Sequence, residues 1–101
     1  EQREAFRQKV ARTYWGEVEY LLRDSPPNIK GDKQCVLAVM SKNGDALQYA
    51  DDTLKGDKEV VLAAVKDEGL ALEYADDTLK GDKEVVLAAV KKRGHSFEYA
   101  A

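Results

Sequence analysis

Side chains able to do chemistry are few in this chain. His95 is its single histidine and Cys35 its single cysteine, and Ser96 is the hydroxyl beside that histidine. A nucleophile needs a base within hydrogen-bond reach and a third group to orient the base. His95 and Ser96 are adjacent on a predicted turn with no such third group, so the pair reads as solvated surface. A zinc centre needs several cysteine or histidine ligands at short spacing, and one of each, far apart in the chain, does not supply them. The acidic pairs Asp51-Asp52 and Asp76-Asp77 raise the question of calcium. An EF-hand loop needs oxygen ligands at alternate positions, a central glycine and a closing glutamate. The stretch "DDTLKGDKE" puts Leu54 and Lys55 where ligands belong, so the acids read as helix caps and solvated corners. As acid and base of a glycosidase they would need a cleft between them, and their recurrence argues for structure instead. Gly56 and Gly81 are single corners, not a phosphate loop. No catalytic, cofactor-binding or metal-ligating residue is assigned, and the chain is expected not to be an enzyme.

Binding chemistry is better represented. Tyr49, Tyr74 and Tyr99 recur at one interval and are expected to form a ladder. Either they are core packing, with each hydroxyl reaching a partner or water, or they are a surface for a peptide or the edge of a pigment. Trp15, with Tyr14 beside it, has the type of side chain that anchors protein partners. The net charge is −3, whereas a duplex binder carries a basic surplus, so no nucleic-acid partner is expected. The basic triplet at Lys91–Arg93 is too small to alter this and suits a helix C-terminus. The longest apolar run, Val60–Val65 and its copy Val85–Val90, is far short of the ~20 residues that span a bilayer.

What must position these residues is a repeat. "ADDTLKGDKEVVLAAVK" occurs at 50–66 and again, unchanged, at 75–91. Steps of 25 residues divide the chain into units 25–49, 50–74 and 75–99, with Asp32/Asp57/Asp82, Leu37/Leu62/Leu87, Gly44/Gly69/Gly94 and Tyr49/Tyr74/Tyr99 in matching places. Each unit predicts a longer helix followed by a shorter helical piece. Asp57 is the expected N-cap, its carboxylate accepting from first-turn amides, with Glu59 on the positive end of the helix dipole. Gly69 is the expected stop, in the left-handed conformation glycine tolerates. The second piece is expected to run about two turns to a Lys-Gly corner, capped by Asp51 or Asp76 through Thr53 or Thr78. Pro26 and Pro27 replace those aspartates in the first unit, where a first helical turn tolerates proline. The long helix is apolar nearly all round, so it needs neighbours on more than one side. Stacking of unit on unit supplies them. Val85, Leu87 and Val90 are accordingly expected in a shared core, with slots 35/60/85 and 40/65/90 interior. Slot 45/70/95, which holds Asp, Leu and His, is expected to be exposed.

Residues 1–24 lie outside the period. Phe6, Val10, Tyr14 or Trp15, Val18 and Leu21-Leu22 recur at helical steps, predicting an amphipathic helix, interrupted near Gly16, that caps the first unit. The fold class expected is therefore all-α: a short, solenoid-like array of three 25-residue units behind an N-terminal capping helix. The sequence opens at Glu1 without methionine, which predicts a removed presequence or a longer parent chain. It stops at Ala100-Ala101, where a fourth unit would begin. That predicts further chain, self-association or another protein lying against the last unit.

The string "GDKEVVLAAVK", a glycine, then "ALEYA" resembles an uncharacterised repeat family, the domain of unknown function numbered 4116. The resemblance is close over 57–75 and 82–100 and looser over 32–50, where Gln34, Cys35, Val39 and Met40 depart from it. It implies helical tandem repeats and brings no activity, cofactor or catalytic residue. Because such repeats occur in algal and other protist proteins, the resemblance also admits a plastid setting.

Together these readings predict a non-catalytic structural or protein-binding subunit that docks an unfinished repeat face on a partner. Trp15, Phe97, Tyr99 and Ala100 are its candidate contacts. The alternatives are a peripheral subunit of a large membrane complex, such as an algal photosystem with its antenna, and a regulatory repeat fragment of a longer enzyme.

Overall fold

The computed structural model of the chain describes residues 2–94. Eight α-helices and two 3-10 helices follow one another, and no strand occurs among the described residues. The helices are α1 (Gln2–Arg12), α2 (Val18–Arg23), α3 (Pro27–Lys30), α4 (Lys33–Met40), α5 (Asp52–Lys55), α6 (Lys58–Asp67), α7 (Asp77–Lys80) and α8 (Lys83–Gly94). The 3-10 helices are η1 (Gly44–Tyr49), between α4 and α5, and η2 (Gly69–Tyr74), between α6 and α7. One order recurs along the chain: a single-turn helix, a long helix, then a 3-10 helix. The break between α1 and α2 brackets Gly16, as the sequence predicts.

Side-chain caps set the helix starts. Asp32 accepts from the Cys35 amide at 3.0 Å. Asp57 accepts from the amides of Glu59 and Val60 at 2.9 and 3.2 Å, and Asp82 from those of Glu84 and Val85 at 2.9 and 3.2 Å. These bonds satisfy amides that a helix start leaves without intrahelical partners. The corner aspartates cap α5 and α7 in the same way: Asp51 accepts from the Thr53 amide and hydroxyl at 3.0 and 2.6 Å, and Asp76 from those of Thr78 at 3.1 and 2.7 Å. Pro26 occupies the capping position of α3 with Pro27 in the first turn. There the ring fixes φ without costing a helical bond.

Two local expectations need correction. The second piece of the first two units is not one short α-helix but a 3-10 helix followed by a separate single-turn helix. The extended backbone of Ala50 and Ala75 separates them. Gly69 does not end α6 in the left-handed region. No described glycine has positive φ. Gly44 and Gly69 instead open η1 and η2, both buried. At Gly44 the constraint is space: a Cβ there would collide with the Ala64 carbonyl oxygen and stand 3.0 Å from its carbonyl carbon. Glycine is required because the main chain of α6 passes directly against η1, not because the backbone is left-handed.

The long helices lie side by side, α4 against α6 and α6 against α8, with η1 and η2 packed into the same layers. One continuous core results, and Cys35, Val36, Val39, Met40, Leu47, Val60, Val61, Ala64, Val65 and Val85 are fully or almost fully buried in it. On the other side α1 packs on α4, and α2 on η1 and α4. They insert Val10, Val18 and Leu22, which are buried, with Phe6 half-buried beside them. Tyr14 and Trp15 share the helical spacing of these residues, yet they sit in the break between α1 and α2 and are exposed.

The placement of Leu87 and Val90 in the core is overturned. Leu87 is 58% exposed and Val90 50%, whereas Met40 and Val65, which hold the place of Val90 in the other units, are 0% exposed. Leu37 and Leu62, which hold the place of Leu87, are half-buried. The residue types are the same, but the neighbours differ. α4 is covered by α6 and α6 by α8, and among the described residues no further helix lies on α8.

Candidate functional site

Contacts between successive units follow a fixed scheme. The Lys33 ammonium lies 3.1 Å from Asp57 Oδ2 and 2.9 Å from Glu59 Oε1, so α4 grips the start of α6. The Lys58 ammonium lies 3.3 Å from Asp82 Oδ2 and 2.9 Å from Glu84 Oε1 and repeats the grip on α8. Main-chain bonds run beside these pairs. The Asp51 amide donates to the Lys30 carbonyl at 3.0 Å, and the Asp76 amide to the Lys55 carbonyl at 2.9 Å. The protonation behaviour is consistent with these pairings. Glu59 first and then Asp57 raise the Lys33 pKa, and Glu84 and then Asp82 raise that of Lys58. The Val85 amide holds Asp82 below the usual carboxylate range. At Asp57 burial is the largest single influence and pushes upward. The bond from Lys33 and the Val60 amide together outweigh it, so its pKa also falls.

Before α4, α1 makes a contact of the same kind: Arg3 Nη1 lies 3.6 Å from Asp32 Oδ1. The Lys42 ammonium donates to the carbonyls of Val10, Ala11 and Thr13 at 2.7, 3.0 and 3.0 Å. Positive charge there complements the carbonyl end of α1. Burial, and then Asp32, push the Cys35 thiol beneath α1 up to about 11, and the thiol donates to the Arg3 carbonyl at 3.5 Å. A thiol of that kind is not a nucleophile at neutral pH.

On α8, Lys83 holds the place of Lys33 and Lys58, with no ion pair among the described residues. Leu87 and Val90 are exposed beside it. A shallow groove of about 410 Å³ runs here, lined by Lys66, Leu87, Ala88, Lys91 and Lys92. It is an apolar strip bordered by positive charge.

Trp15 lines a different groove. It is 60% exposed, its ring centroid 5.4 Å from that of Tyr14. Asn43 holds the turn beneath it by donating from Nδ2 to the Trp15 carbonyl and to Glu19 Oε1, each at 3.4 Å. Glu19, Lys42, Asp45, Asp67 and Glu68 line the same groove. Burial, and then the charges of Glu68, Glu19, Asp67 and Glu73, push the Asp45 carboxyl above its usual range. Asp67 is partly engaged, accepting from the Gly44 amide at 2.7 Å.

Of the residues the sequence nominates as partner contacts, Trp15 is exposed. Phe97, Tyr99 and Ala100 lie outside the described residues, as do His95 and Ser96. Tyr49 and Tyr74 pack half-buried against the core. Leu70 is exposed, but Asp45 in the equivalent slot is half-buried. Sequence reasoning missed Lys83, Leu87 and Val90 as surface groups. The signal was available in the lysine that precedes each Val-Val-Leu or Cys-Val-Leu run, whose carboxylate partners come from the following unit. No group of His, Cys, Asp or Glu among the described residues is arranged to hold a metal. No described helix is long and apolar enough to cross a membrane.

No curated protein matches the chain, and no solved structure does. A family model, Domain of unknown function (DUF4116), matches residues 32–78 and, in a second overlapping match, 57–101. The overlap reflects the repeat, since one pattern fits the chain in two registers. These matches cover more than half of the chain, which belongs to the DUF4116 family.

Proposed function

We propose that this chain is a non-catalytic protein-binding module, a stack of three 25-residue helical units that docks the open side of α8 on a partner. The observation that carries the reading is the exposure of Leu87 and Val90, at 58% and 50%, on a helix whose counterpart α6 has Val65 fully buried. Burial of such a face favours association by roughly 25 cal/mol per Å² before the costs of ordering and lost freedom. The use made of the carboxylates supports the non-catalytic part of the reading: Asp51, Asp57, Asp76 and Asp82 are all occupied in capping helices. Trp15 and Tyr14 form a second exposed apolar area on the cap side.

The test is isolation of the native assembly under mild conditions, alongside a Leu87→Ser/Val90→Ser double variant. A co-purifying polypeptide that the variant releases is the expected result. A chain that sediments alone at its own mass, or a complex indifferent to the variant, refutes docking through α8.

A further inference from the structure

The open side of α8 reproduces a surface this chain already covers twice. In the first unit that surface consists of the Lys30 carbonyl at the end of α3 and, on α4, the Lys33 ammonium and the apolar groups of Leu37 and Met40. In the second it consists of the Lys55 carbonyl, the Lys58 ammonium, Leu62 and Val65. Each receives the same complement from the next unit: a corner-aspartate amide on the carbonyl, an Asp-x-Glu pair on the ammonium and an apolar helix over the rest. In the third, the Lys80 carbonyl, Lys83, Leu87 and Val90 hold the corresponding places.

We infer that this face accepts, from a partner protein, a helix of the repeat's own chemistry: a capping aspartate, a glutamate two residues on, and an apolar stripe behind them. The inference rests on the docking reading above. Charge complementarity selects the occupant. Lys66, Lys91 and Lys92 line the groove with Leu87, and Lys83 stands one turn before Leu87 on α8, so a helix that is acidic at its start is attracted and a basic one repelled. A second folded copy does not meet the requirement. Its Asp57/Glu59 and Asp82/Glu84 pairs are already held by its own Lys33 and Lys58, and its Asp32 faces Arg3 of the cap helix. Two copies placed open face to open face would set Lys83 and its basic neighbours against their like. The occupant is therefore a unit whose leading side carries no cap.

The probe is a synthetic peptide with the sequence of residues 56–68, stapled on its solvent side and shown to be helical by circular dichroism before use. Titrated into the intact chain, it is expected to bind saturably. A version carrying Asp57→Lys and Glu59→Lys is expected to bind at least about tenfold more weakly. The Lys83→Glu chain, checked for an unchanged melting curve, should reverse that preference. Absence of saturable binding by the helical peptide overturns the inference, and so does equal binding of the two peptides. Sedimentation showing that the chain dimerises through this face assigns it to a second copy and also overturns it. If the Leu87→Ser/Val90→Ser pair releases a native partner while the peptide fails to bind, docking stands and the repeat chemistry of the partner falls. If neither occurs, both fall.

Discussion

One substitution made at two glycines should change stability in opposite directions. Gly44→Ala places a methyl group against the Ala64 carbonyl, a main-chain group that cannot rotate aside. Overpacking of this kind costs ~1–3 kcal/mol, and an unyielding neighbour places it toward the upper end. Restriction of the unfolded chain by alanine returns ~0.4–1 kcal/mol. The net loss is about 2 kcal/mol, which in a domain of this size lowers Tm by roughly 8–16 °C. The shift must also strain the 2.7 Å bond from the Gly44 amide to Asp67. At Gly81, which ends α7 at φ −101°, a Cβ meets nothing within 4 Å. Only the unfolded-chain effect remains there, so Gly81→Ala should raise Tm by roughly 2–8 °C. Thermal melts of the two variants followed by circular dichroism measure both signs in one experiment. If Gly44→Ala melts at or above the parent chain, the close approach of α6 to η1 is refuted, and with it the reason for glycine at that position.

Leu47→Ala, in the fully buried core, should cost ~2–5 kcal/mol, whereas Leu87→Ala should stay within about 0.5 kcal/mol of the parent and Leu87→Asp should remain folded. Chemical denaturation of the three compares them directly. Cys35 should be inert to thiol reagents in the native chain and react readily once residues 1–24 are removed, because α1 covers it. Reagent uptake with and without the segment checks this. Two opposite pH effects are expected. The folded-state pKa values of Asp51, Asp57, Asp76 and Asp82 lie below the ordinary 3.8, so their contribution is present above that value and lost as pH falls through the folded values. Asp45 is raised, so its contribution is present in acid and lost as pH rises. Asp45→Asn should therefore raise Tm at pH 7, with the gain disappearing below about pH 3.8. Melts across the acid range separate the two.

Much of the architecture is legible in the residues themselves. Asp32, Asp57 and Asp82 mark helix starts because a carboxylate there has amides to accept from, a local relation that a few residues contain. The 25-residue interval puts Cys35, Val60 and Val85 in one apolar slot three residues after a capping aspartate, and all three are buried. The break near Gly16 is legible in the same way, from spacing and one glycine.

Other features needed the tertiary structure. Gly69 looks like a helix stop, but at Gly44 the reason for glycine is a main-chain group of α6 twenty residues away. Leu87 and Leu62 sit in identical strings, and no local rule separates them. Their surroundings differ because burial belongs to the covering helix as much as to the residue covered. The salt bridges from Lys33 and Lys58 join units, so they appear only when one helix start is laid against the preceding helix. Propensity, capping and periodicity act over a turn or two and are written into the sequence. Coverage and close approach depend on which distant segment lies opposite, and the packed chain alone decides that.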